Sequence, residues 1–177
     1  MLSACSSTPI RQEVRYSEIN NEHLLDLLRW QFTGRIALSN QTDSWSANIV
    51  WLHDGDQDTV NLFGPLRQGA VRIVLNPDSI MIDQGNGDIG YSRDPDFYIN
   101  QQLGFFIPVS ALRYWVTGLT APSTPYLALN SGFSQLQWNI EYKNFVTVQK
   151  EVLPQKMSIK NNKAKLKLVI DEWILND

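Results

Sequence analysis

Cysteine is nearly absent from this chain, which has one in 177 residues, so no internal disulfide braces it. Histidine is almost as scarce. His23 and His53 lie far apart with no cysteine to complete a ligand set, so His53-Asp54-Gly55-Asp56 reads as a hairpin turn, not a metal site. Charged residues make up 19% of the chain and the net charge is −3, so it has no basic footprint for nucleic acid. No apolar run approaches the roughly 20 residues of a spanning helix. Catalytic signatures are missing too. No serine sits in a Gly-x-Ser-x-Gly elbow. Gly85-Asn86-Gly87 lacks the Lys-Ser/Thr of a phosphate loop. The carboxylates fall in turns or on polar strand faces. The chain therefore reads as a single domain with no enzyme activity and no cofactor.

Alternation with a period of two is abundant. From Trp30, the residues Phe32, Gly34, Ile36 and Leu38 share one face; Trp45, Ala47, Ile49 and Trp51 do the same after a turn. Val60 and Leu62 follow, then short strands near Ser79–Asp83 and Ile89–Ser92. Later, Leu136, Trp138, Ile140 and Tyr142 alternate up to a turn at Lys143-Asn144. Strands Phe145–Lys150 and Leu153–Lys160 come next, and Lys163–Trp173 puts Leu166, Leu168 and Ile170 inward but Val169 and Trp173 on the polar face. Three helices are expected: Ser17–Arg29 with Ser17 as cap and Leu24, Leu27 and Leu28 on one face; Pro95–Leu103 after Asp94-Pro95; and 110–118, opened by Ser110 with Leu112, Trp115, Val116 and Leu119 on one face. About ten short strands joined by hairpins close most economically as an antiparallel barrel or half-barrel. Large inward side chains fill volume less regularly than Val and Ile, which suits an adaptable apolar cavity.

Two local features carry the functional reading. The loop Gly64-Pro65-Leu66-Arg67-Gln68-Gly69 has an apolar residue where a polar one is usual. From the loop alone, folding Leu66 back into the core is the more economical reading; exposing it to a bilayer or a partner is the other. At the start, Leu2-Ser3-Ala4-Cys5 has the form of a lipobox, in which small residues let a peptidase accept the chain and the Cys thiol then carries a diacylglycerol. Residues 1–4 are then a signal-peptide remnant, 5–16 a lipidated flexible tether containing Pro9, and 17–177 the folded domain. Ser6 after the cysteine implies outer-membrane sorting.

Trp30-Gln31-Phe32-Thr33-Gly34-Arg35, Leu62-Phe63-Gly64-Pro65-Leu66, Ile107–Leu119 and Leu166–Trp173 together resemble the LolB family, over nearly the whole chain from Leu24 to Leu175. The resemblance implies a mainly β fold with some helix: an unclosed antiparallel β-barrel of about ten or eleven strands, with helices over the opening and an apolar interior. It implies an outer-membrane, periplasm-facing monomer that accepts lipoproteins from a LolA-like periplasmic carrier, shields their acyl chains and delivers them into outer-membrane lipid. It also reverses the reading of the loop, making Gly64, Pro65 and Leu66 a membrane-insertion tip. Arg67 departs from the glycine expected after the leucine; its length weakens insertion or its cation meets lipid phosphate. On the alternating faces, Phe32, Ile36, Leu38, Trp45, Ile49, Trp51, Leu136, Trp138, Ile140, Leu166 and Leu168 are expected to line the cavity, under a lid of Leu112, Trp115 and Val116. A scaffolding outer-membrane lipoprotein, a soluble periplasmic lipid carrier and an enzyme, which would need carboxylates or histidines converging in a pocket, remain open alternatives.

Overall fold

A computed structural model describes residues 16, 22–64, 69–103 and 106–176. Eleven strands form one antiparallel sheet: β1 (Arg29–Asn40), β2 (Ser44–Asp54), β3 (Gln57–Phe63), β4 (Ala70–Asn76), β5 (Ser79–Asp83), β6 (Ile89–Ser92), β7 (Tyr126–Leu129), β8 (Gly132–Gln135), β9 (Trp138–Val148), β10 (Glu151–Lys160) and β11 (Ala164–Leu175). Their order across the sheet is β6-β5-β4-β3-β2-β1-β11-β10-β9-β8-β7. The first and last strands thus pair at the centre, while β6 and β7, neighbours in sequence, lie at opposite edges. The segment joining them carries helices α1 (Pro95–Leu103) and α2 (Val109–Thr117) from one edge to the other. An unclosed barrel with helices across its opening is the expected architecture, and β5, β6 and α1 have the expected bounds.

Both helix starts are capped by aspartates. Asp94 accepts from the Phe97 backbone N–H at 3.0 Å, as its place before Pro95 predicts. At α2 the residue before the helix is Pro108, which has no capping side chain. Asp96 of α1 does that work instead, accepting from the Ser110 N–H and hydroxyl at 3.2 and 3.0 Å. Gly118 ends α2 with φ of 92°, and the Leu119 N–H returns to the Tyr114 carbonyl at 2.9 Å, the closure that a left-handed glycine permits.

Several sequence expectations are corrected. The helix expected over Ser17–Arg29 is, in its described part, a 3-10 turn over Glu22–Asp26, and Arg29 already belongs to β1. The reason is burial: Leu24 is packed, but Leu28 is 69% exposed, so the leucines do not share one buried stripe. Ser17 lies outside the described residues. No turn interrupts the chain at Lys143-Asn144. There β9 runs through a bulge against β10, and the bulge also accommodates Pro154 inside a strand. The β7–β8 hairpin went unanticipated.

Trp173 shows how one bulge misleads a period-two reading. Thr33 pairs with Glu172 but Gly34 with Ile170, so Asp171 is the extra residue. Beyond it the inward positions change parity. Trp173 then faces the core, 6% exposed, and its indole N–H donates to the Pro154 carbonyl at 2.8 Å. Glycine is required opposite this bulge, since a Cβ at Gly34 would lie 2.3 Å from the Val169 carbonyl oxygen.

Candidate functional site

The concave face is packed at one side and hollow at the other. Trp30, Phe32, Trp51 and Trp173 form an aromatic cluster with ring centroids 5.0 to 6.0 Å apart. Under α2, the side chains of Trp115, Phe133, Trp138, Ile140, Leu153 and Ile159 are wholly buried. The hollow opens under α1, where strands β1–β5 and β11 supply aliphatic side chains. An inner chamber of about 130 Å³ is lined by Ile36, Leu38, Trp45, Ile49, Trp51, Val60, Leu62, Ile73, Leu75, Ile80 and Leu166 from the sheet, and by Ile99, Ile107, Val109 and Leu112 from the helical segment. Every described residue around it is apolar. An adjoining groove of about 420 Å³ runs past Ala47, Val71 and Ile82 to Gly64 and Gly69, the flanks of the Leu66 loop, with Gln84 and Gln102 on its wall.

Of the expected lining, Ile36, Leu38, Trp45, Ile49, Trp51 and Leu166 face the chamber, and Leu112 faces it from α2. Phe32, Trp138, Ile140 and Leu168 do not; they are 0 to 2% exposed within close-packed core, as are Trp115 and Val116 of the expected lid. Leu136 is on no strand face at all. It begins the two-residue β8–β9 turn with φ of 52°, followed by Gln137 at 65°, and is 40% exposed. The lining that sequence reading missed (Val60, Leu62, Ile73, Leu75 and Ile80) comes from β3, β4 and β5, whose alternation was visible but short. Pro65 and Leu66 lie outside the described residues, as does Cys5.

Polar contacts fix α2 in place. Asp58, fully buried, accepts from Trp51 Nε1 at 2.8 Å, contacts His53 Nδ1 at 2.9 Å and pairs with Arg113 Nη2 of α2 at 2.7 Å. In register, His53 stands opposite Asp58 across the β2–β3 hairpin, so the turn read from sequence also builds this cluster. At the other side, buried Gln135 accepts from Trp115 Nε1 and the Ala121 N–H, both at 2.8 Å, and donates to the carbonyls of Ala121 and Thr124. Tyr142 and Tyr16 donate hydroxyl hydrogens to the carbonyls of Trp115 and Gly118 at the C-terminal end of α2, at 2.6 and 3.1 Å. Burial pushes both phenols up, Tyr16 to about 12, with Tyr126 adding to Tyr16 and Tyr16 to Tyr142. These groups hold α2 against the sheet.

A curled, unclosed antiparallel sheet with helices across its opening and an apolar hollow beneath them defines the class: an unclosed half-barrel. A solved LolA superfamily protein from Nitrosomonas europaea shares the fold, with a TM-score of 0.51, 9% identity and coverage of 85% of this chain and 87% of that one. Residues 28–173 match the family model described as outer membrane lipoprotein LolB. Proteins named outer-membrane lipoprotein LolB are similar along most of their length. That of Francisella tularensis subsp. tularensis strain FSC 198 is 31% identical over 97% of this chain and 88% of its own. That of Nitrosococcus oceani is 31% identical over 86% and 79%, and that of Pseudomonas fluorescens 28% over 98% and 91%. The chain belongs to the LolB family of outer-membrane lipoproteins.

Proposed function

We propose that this protein, anchored in the outer membrane through acylated Cys5, accepts lipoproteins from a LolA-like periplasmic carrier, shelters their acyl chains in its hollow and delivers them into the membrane. The observation that carries this reading is the apolar chamber continuing into a groove that ends at Gly64 and Gly69, the two flanks of the Leu66 loop. Each methylene moved from water to such surroundings is worth about 0.8 kcal/mol, so a lipoprotein in water needs a shield of this kind. Transfer without a nucleotide then requires only that the acceptor hold the chains more tightly than the donor, and the bilayer more tightly still. Leu66 is too small to anchor a domain. Its part is to bring the groove's mouth against lipid while the tether at Cys5 supplies attachment.

The test is Leu66→Glu in the full-length lipidated protein, reconstituted in liposomes and supplied with carrier-bound lipoprotein. The expected result is normal uptake from the carrier with release into the bilayer reduced severalfold. Release equal to that of the parent protein would remove Leu66 from delivery. Mass spectrometry of protein purified from membranes reports whether Cys5 is acylated; an unmodified thiol would favour a soluble carrier instead.

A further inference from the structure

The hollow is two adjoining spaces, and the wall they share is the neck. Trp45, Leu62, Ile73 and Ile99 line both the inner chamber and the outer groove, so anything reaching the chamber from the groove passes between them. Three of the four stand on β2, β3 and β4; Ile99 is the one residue of the neck contributed by a helix, and it is 6% exposed.

Size decides what enters. An apolar cavity of about 150 Å³ holds a benzene-sized molecule. The inner chamber, about 130 Å³, therefore accepts roughly five or six carbons, far less than a membrane acyl chain. The groove is about three times larger, and it is there that amide side chains, Gln84 and Gln102, join the lining. An amphiphile's polar end satisfies its hydrogen bonds only at that amide-bearing wall, because the chamber offers no partner.

Building on the acyl-chain reading above, we infer that a single hydrocarbon chain threads tail-first past the Trp45–Ile99 neck. Its last carbons occupy the chamber, its middle lies in the groove, and its ester or amide end rests beside Gln84 and Gln102. Ile99 sets how far the tail penetrates and so selects for chain length. A second chain has no place until α1 moves.

Displacement of a bound fluorescent fatty-acyl probe by monoacylglycerols of 8 and 14 carbons tests this in the full chain. Each methylene gained in an apolar site is worth about fourfold in affinity. Ile99→Trp, which closes the neck, is expected to weaken the 14-carbon ligand at least tenfold and the 8-carbon ligand less than twofold, the short ligand also reporting an intact groove. Equal weakening of both lengths, or of neither, would overturn threading. Gln84→Leu combined with Gln102→Leu should weaken both lengths alike; loss confined to the longer chain would place the polar end elsewhere and overturn the orientation. If the parent protein binds neither ligand, the acyl-chain reading itself fails and threading with it, whereas binding that ignores Ile99→Trp removes threading alone.

Discussion

The two helices of the crossover differ in how firmly they are held, and the sheet beneath each differs in the same sense. Beneath the Trp115 side of α2, rings and branched side chains leave no room: Phe133, Trp138, Ile140, Leu153 and Ile159 are, like Trp115 itself, 0% exposed. Of these, Trp115 is pinned by directed bonds, its Nε1 to Gln135 and its carbonyl to the Tyr142 hydroxyl. Beneath α1 the inward residues are mostly Ile, Leu and Val. Among the described side chains of that helix, only Ile99 is buried. The chamber wall is thus mostly aliphatic, with the rings of Trp45 and Trp51 set into it. Where a buried N–H or O–H finds a partner, as those of Trp115 and Tyr142 do, the partner fixes its place; an aliphatic wall has no such requirement and can remain unfilled.

The sharpest break of this contrast is at Arg113. Arg113→Met leaves the Asp58 carboxylate buried without its cation, a loss of the kind that costs about 3–5 kcal/mol. Urea denaturation should show that loss, with most of it recovered when Asp58→Asn is added. The amide oxygen that replaces the carboxylate can still meet Trp51 and His53, so the double variant retains the cross-strand contacts. If Arg113→Met costs less than 1 kcal/mol, about the upper end for a surface pair, the cluster does not anchor α2.

Next comes a matched pair of truncations. Leu153→Ala in the packed side should cost about 3–5 kcal/mol, toward the upper end for such changes, because nothing can collapse into the space. Leu38→Ala, beside a chamber already hollow, should cost nearer 2 kcal/mol, since part of its surface has no packing partner to lose. The reverse substitution sharpens the same point. Val60→Phe points into the chamber and should leave the thermal midpoint nearly unchanged while reducing acyl-probe binding. Ile140→Phe, in dense core, should cost about 1–3 kcal/mol. Equal penalties on the two sides would mean that the hollow closes in solution.

Most of the strands were legible from alternation, and α1 from Asp94-Pro95 at its start and the stop signal of Gly104 after Leu103. Phase was not legible where a bulge reset it. Trp173 and Pro154 each break a period-two pattern, and only pairing with β1 and β9 shows where the extra residue goes. The cluster around Asp58 was invisible for another reason. His53 and Asp58 are joined by a hairpin that sequence does reveal, but Arg113 lies on a helix 55 positions further along, and nothing local announces that its charge turns inward. Nor does composition distinguish a residue lining a void from one filling it. Leu166 and Leu168 are alike on the strand face, yet only Leu166 borders the chamber.

The smallest effect tests whether the segment leading from the tether belongs to the packed side. Tyr16 stacks on Tyr142 at 4.9 Å between centroids and reaches the Gly118 carbonyl. Its phenol is raised from 10.0 to about 12, chiefly by burial, so the folded protein keeps the proton where the unfolded chain loses it. Below about pH 10 both states are neutral and the contribution is fully present; as pH rises from 10 to 12 the unfolded state alone ionises, and stability falls. Tyr16→Phe keeps the ring contact, forfeits about 1 kcal/mol from the hydroxyl bond, and removes this titration. Its thermal midpoint should therefore lie below the parent's at neutral pH and converge with it as the solution becomes alkaline. Parallel curves across that window would mean that Tyr16 is as solvated in the folded protein as in the unfolded chain, and that the packed side ends at Tyr142.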